Sequence, residues 1–269
     1  GLYRIVAFLT GSKNALKGAG FFIGAVLLSL FEFQGAVTAM ASMLAIVWVL
    51  SLLLLRQELG VMKNKPKFNQ IFSKSRAVNW LSLARFFLFG ARDVWFVVAL
   101  PVFLHQTLQW DFWQVGGYLA SWIIIYGFIQ AAAPQLTGKD KTPQAVRSQL
   151  VLFGGLLALV PAGIAMALMY ELSVVYVVTM GLLLFALLFA MNSALHSYLI
   201  VRFARVEGAS LDIGFYYMAN AGGRLAGTIA SGALFQWVGL EACLWVSALL
   251  IAFASITALS LPEEEEGTA

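Results

Sequence analysis

Trp80-Leu-Ser-Leu-Ala-Arg-Phe-Phe-Leu-Phe-Gly-Ala-Arg-Asp-Val-Trp-Phe-Val-Val-Ala-Leu-Pro-Val-Phe-Leu104 decides the fold. The run is almost wholly apolar and longer than the roughly 20 helical residues needed to cross a hydrocarbon core of about 30 Å. Similar runs recur at 15–33, 36–55, 113–136, 149–169, 174–200, 212–237 and 241–261. They are continuous rather than alternating and twice a barrel strand's length, so they read as helices. In lipid each such segment must satisfy its own backbone groups. Of the 269 residues, 61% are hydrophobic and 11% are charged, against about 25% charged in a soluble domain. A soluble enzyme, a secreted disulfide scaffold and a disordered tail are excluded. Cys243, the single cysteine, lies inside an apolar run, so no intrachain disulfide or cysteine metal site can form. The expected fold class is an all-α polytopic membrane bundle of eight transmembrane helices.

The basic residues orient it. Arg85, Arg92 and Arg224 lie deep within spans; the other 14 of the 17 fall at or before the start of the first span or in alternate connections. The opposite side shows Glu32, Asp111, Glu171 and Glu241 instead. By the positive-inside rule both termini are expected in the cytoplasm. The positive charge is thus a topology signal, and nucleic acid is not an expected partner. Residues 56–79 form the longest connection, basic and polar, and separate 1–55, with two helices, from 80–262, with six. Residues 263–269 read as an acidic cytoplasmic tail. Two helices, a long cytoplasmic loop and six helices suggest a six-plus-six transporter lacking its first four helices.

Charges within spans cost at least about 2.5–3.5 kcal/mol each and mark function by default. Arg92 lies 12 residues past Trp80, about 18 Å along the axis and close to the midplane. Arg85 shares its face, and Asp93 points about 100° away toward a neighbouring helix. Arg224 sits mid-span beside Gly222 and Gly223, where Gly223, Gly227 and Ser231 form a ladder permitting close helix approach. Guanidinium suits bidentate recognition of phosphate or carboxylate. Arg92, Arg224, Arg85 and Asn192 are therefore the candidate substrate-binding residues for a small anionic substrate. Asp93 and His196 are the candidate coupling or ion-pair residues; an imidazole ordinarily titrates near 6.5. Asn192 and His196 are four apart on one helix face, a spacing that interhelical hydrogen bonds also explain. Lys17, a turn into the first helix, is expected to snorkel, with positive charge at the cytoplasmic mouth as the alternative. His105 reads as a loop residue outside, and Tyr118, Tyr126, Tyr216 and Tyr217 as interface or packing residues.

Several stretches carry a resemblance. Gly18-Ala-Gly-Phe-Phe-Ile-Gly24 resembles the glycine-rich fifth helix of major facilitator superfamily transporters, and Asn220-Ala-Gly-Gly-Arg-Leu-Ala-Gly227 resembles their eleventh. The layout resembles the C-terminal two thirds of such a protein. Within the superfamily, 9–18, 84–98 and the 65–76 hinge resemble organoarsenical efflux permeases of the ArsJ type. That resemblance implies efflux of 1-arsono-3-phosphoglycerate, arsenate resistance, functional partnership with a glyceraldehyde-3-phosphate dehydrogenase, and a bacterial inner membrane location. Pro134-Gln-Leu-Thr-Gly-Lys-Asp-Lys141 stands where the superfamily's Gly-x-x-x-Asp-Arg/Lys-x-Gly loop would recur, with charges but without its spacing.

Enzyme signatures are missing: there is no His-x-x-x-x-Asp, His-Glu-x-x-His or Walker-type loop, and two histidines cannot build a multi-histidine metal centre. No cofactor or metal is expected. The chain is read as a secondary transporter, not an enzyme, embedded in membrane lipid and drawing on a gradient. The alternatives are a proton-coupled exporter of drugs or another metabolite, and, from a different class, a non-transporting membrane subunit or membrane enzyme whose arginines merely lock the bundle. The two classes differ in whether Arg92 and Arg224 face one cavity.

Overall fold

The computed structural model describes residues 2–54, 72–73, 75–138, 142–170, 172–205 and 208–262. These residues form α1 (Leu2–Leu54), α2 (Arg76–Phe96), α3 (Ala99–Gln106), α4 (Phe112–Thr137), α5 (Pro143–Met169), α6 (Val174–Phe203), α7 (Ala209–Trp237) and α8 (Leu240–Ala258), with no strand among them. The chain is a polytopic helical membrane bundle. Local chemistry sets the helix starts. Ser75 Oγ accepts from Val78 N, and Thr142 Oγ1 accepts from Ala145 N just before Pro143. Asp111 and Gln114 form a reciprocal capping box at 2.8 and 2.9 Å.

Among the described residues six stretches are long and apolar enough to cross a membrane, against the eight spans expected. Two differences account for this. The two expected helices at 15–33 and 36–55 are segments of α1, which begins earlier, at Leu2, and breaks at Glu32 (φ 55°, ψ −175°). α7 falls short in hydropathy because glycines, serines, tyrosines, Asn220 and Arg224 interrupt it. The expected 80–104 span is one stretch, Arg76–Gln106, that starts earlier and whose helix is interrupted at Val97 and Val98. Pro101 explains the interruption, since it has no N–H for the Val97 carbonyl and its ring crowds that group. The freed Ala99 N–H donates to Ser231 Oγ of α7 at 3.0 Å. Most of the expected 56–79 loop, the tail at 263–269, and Lys139, Asp140, Lys141 and Glu171 lie outside the described residues.

α2 is the central element, buried on nearly every side although it carries Arg85, Arg92 and Asp93 among its buried residues. It packs against α7 and α8; α5 packs against α6 and α8, and α4 against α6. α1 lies along α4 and touches α6, while its backbone stays clear of α2 and α7. From Val37 to Leu54 almost every α1 side chain is exposed. Small residues seven apart bring α1 and α4 together. A Cβ on Gly11 would lie 2.5 Å from the Gly127 carbonyl oxygen and one on Gly18 2.8 Å from that of Ala120, while Ala25 fills the space beside Gly116. Two apolar clusters form the core, one including Trp95, Trp122, Phe185 and Phe189, the other Leu81, Val146, Leu195 and Leu199. Buried polar side chains, among them Arg85, Gln130, Ser193 and His196, sit where the two meet.

Candidate functional site

The α2–α7 crossing positions the charged site. A Cβ on Gly223 would stand 2.1 Å from the Phe86 carbonyl oxygen, and one on Gly227 2.5 Å from that of Gly90. Only glycines allow backbones this close. The approach brings the residues next to the glycines, Arg224 on α7 and Asp93 on α2, within hydrogen-bond reach. Arg224 Nε donates to Asp93 Oδ2 at 2.8 Å, and Arg92 Nε donates to Asp93 Oδ1 at 2.6 Å. One fully buried carboxylate therefore holds two guanidiniums, which leaves the cluster with a net positive charge. The two arginines differ in access. The Arg92 side chain is 10% exposed and lies over Phe89, whereas that of Arg224 is 45% exposed. Lys17 of α1 is near enough for the charges of Arg224, Arg92 and Asp93 to act on it. It also lines a cavity of about 660 Å³ between α1, α3 and α4.

Arg85 occupies a second site. Its Nη1 donates to Ser193 Oγ at 3.0 Å and to the Ser193 carbonyl, its Nε donates to Asn220 Oδ1 at 3.3 Å, and its guanidinium lies 3.9 Å from the Phe89 ring centre. Tyr126 Oη and Gln130 Nε2 donate to the same Ser193 hydroxyl. This hub ties α2, α4, α6 and α7 together. Phe89 lies beside both Arg85 and Arg92, as their seven-residue spacing on one face predicts.

Asn192 and His196 sit elsewhere. Asn192 Nδ2 donates to the Leu150 carbonyl of α5 at 3.1 Å, and both residues line a narrow space against α5 and α8. The structure does not bring them to Arg92, Asp93 and Arg224. His105 is in the last turn of α3, bonded to the Trp110 carbonyl and stacked on Phe112. Tyr118 Oη reaches the Thr179 carbonyl, Tyr216 is buried near Arg85, and Tyr217 is half exposed. Among the described residues no group of three or more His, Cys, Asp or Glu could hold a metal ion.

Sequence reasoning also passed over an ion pair at the end of the bundle. Arg205 grips the fully buried Asp212 with Nε and Nη2 at 2.9 and 2.8 Å, and Ser73 Oγ donates to the same carboxylate at 2.6 Å. Asp212 at the very start of a span, seven residues after a loop arginine, was the available signal.

Residues 3–227 match the family model for the Major Facilitator Superfamily. The chain belongs to the major facilitator superfamily. No curated protein matches it. Membership makes the chain a multi-pass secondary transporter of a family whose members are not, in general, enzymes. In a superfamily transporter a polar cluster within the membrane, reachable from a gap between helices, is a candidate substrate site.

Proposed function

We propose that this superfamily transporter exports a small organic anion bound between Arg92, Arg224 and Lys17. The observation that carries the reading is the shared carboxylate. Among the described residues two guanidiniums meet Asp93 alone, and Arg224 uses a single N–H on it while its side chain stays 45% exposed. A phosphate or carboxylate entering the gap meets planar donors already held in place, and Lys17 supplies a further positive charge. The ligand then competes with Asp93 for those donors, and motion of one bundle against the other carries it across. Both termini are cytoplasmic in this proposal. The membrane is the bacterial inner membrane.

The ArsJ-like stretches narrow the candidate to 1-arsono-3-phosphoglycerate, supplied by a glyceraldehyde-3-phosphate dehydrogenase. The test is expression of the full-length gene with and without that dehydrogenase in an arsenate-sensitive bacterium. Resistance only when both are present supports the arsenical. Unchanged tolerance overturns it, while leaving the anion reading standing. The complete burial of Asp93 favours one competing reading, a lock between α2 and α7 with no ligand. Under that reading Arg224→Gln weakens folding but moves no anion-binding constant.

A further inference from the structure

One ring, Phe96, separates the Arg92 guanidinium from Phe21 on the wall of an apolar cavity. The 660 Å³ cavity falls within the roughly 300–1,000 Å³ range of small-ligand sites. Its lining includes Gly20 and Gly24 of α1, Pro101 of α3, and Phe112 and Leu119 of α4, with Lys17 the one charged residue among the described ones. The glycines make room: a Cβ on Gly20 or Gly24 would meet nothing within 4 Å. The cavity and the arginines are neighbours through two rings. Phe21, on the cavity wall, meets Phe96 edge-on at 6.2 Å between centres, and the Arg92 guanidinium lies 5.9 Å from the Phe96 ring centre. A hydrophilic sugar-acid phosphate would occupy the cationic end and leave this apolar wall unused.

We infer that the cavity is the second half of the binding site, so that the transporter also accepts anions with an apolar body. The headgroup lies toward Lys17, Arg92 and Arg224, and an aromatic or aliphatic body fills the space between α1, α3 and α4. This inference rests on the anion reading above and extends its substrate range. Charge complementarity selects the occupant: a neutral apolar molecule would leave Lys17 without an anion, and a cation would be repelled by all three groups.

The test compares phenylphosphonate with methylphosphonate, which share a headgroup, by equilibrium binding to the purified full-length protein in lipid nanodiscs. Phenylphosphonate is expected to bind about tenfold or more tightly, the scale of burying one aromatic ring. Gly24→Leu and, separately, Gly20→Leu should abolish that preference and leave methylphosphonate within about twofold of the unaltered protein. Lys17→Gln should weaken both ligands. Equal affinity for the two phosphonates overturns the inference. So does a preference surviving both leucine variants, or loss of both ligands in both variants. Methylphosphonate binding that depends on Arg224, without a preference for the phenyl group, sinks the inference and spares the anion reading. No binding of either ligand, or binding indifferent to Arg224→Gln, sinks both.

Discussion

Asp93 stands as an internal anion on the two arginines, and its neutralisation has a definite consequence. Asp93→Asn removes the competitor for both guanidiniums, so equilibrium binding of a phosphonate should tighten severalfold while transport slows, because release loses its replacement ligand. Weaker binding would show that Asp93 holds the arginines in place rather than competing with substrate. The Ser193 hub gives a contrasting expectation. Ser193→Ala takes one acceptor from each of Arg85, Tyr126 and Gln130, while Arg85 keeps the Ser193 carbonyl, a loss of about 0.5–1.5 kcal/mol per hydrogen bond. Thermal unfolding should therefore fall clearly, and an unchanged midpoint would contradict the hub. Arg92, Asp93 and Arg224 were legible in the sequence because a charge in an apolar run is costly and so conspicuous. Ser193, Tyr126, Gln130 and Asn220 were not, since neutral polar side chains carry little cost until three-dimensional packing shows what they meet.

Helix contacts explain why the charged groups meet at all. Gly223 has the Phe86 carbonyl oxygen 2.1 Å from where a Cβ would stand, while Gly222 has only the Phe86 ring at 3.5 Å. Gly223→Ala should accordingly push α2 from α7, lower stability by about 1–3 kcal/mol as overpacking does, and weaken anion binding with it. Gly222→Ala should be close to neutral in both assays. Equal effects from the two substitutions would mean that the crossing is placed wrongly. The glycine ladder was readable from its spacing, and the structure shows Gly223 and Gly227 at the contact, with Ser231 Oγ turned to the Ala99 N–H. The break before α3 was less legible. Pro101 was visible, but hydropathy alone carries 80–104 through as one uninterrupted helix, and the partner that satisfies the freed N–H comes from 132 residues away. The end of the first helix shows the same limit, for Glu32 rather than a glycine makes the turn.

On the scale of the molecule, the sequence places its basic residues in alternate connections, and Asp111, in one of the others, caps α4. A reporter fused after Trp110 should read as outside the cytoplasm and one fused after Lys65 as inside; the reverse pattern would end the orientation proposed from charge. Fold class was legible because a 30 Å hydrocarbon slab imposes its length on every span. The relation of α1 to the rest was not, since nothing in an apolar helix says which of several apolar neighbours it chooses. Its choice of α4 places Lys17 on the wall of the cavity between α1, α3 and α4. The most direct measurement of the central claim is uptake of a phosphate-bearing organic anion into everted vesicles, with the full-length protein compared against Arg92→Lys and Arg224→Gln at matched membrane levels. Loss of a charge-assisted hydrogen bond worth about 1.5–3 kcal/mol predicts a fall of roughly tenfold or more in each variant, with Arg92→Lys affected although its charge is kept. Uptake equal to that of the unaltered protein in both variants would contradict anion binding at this site.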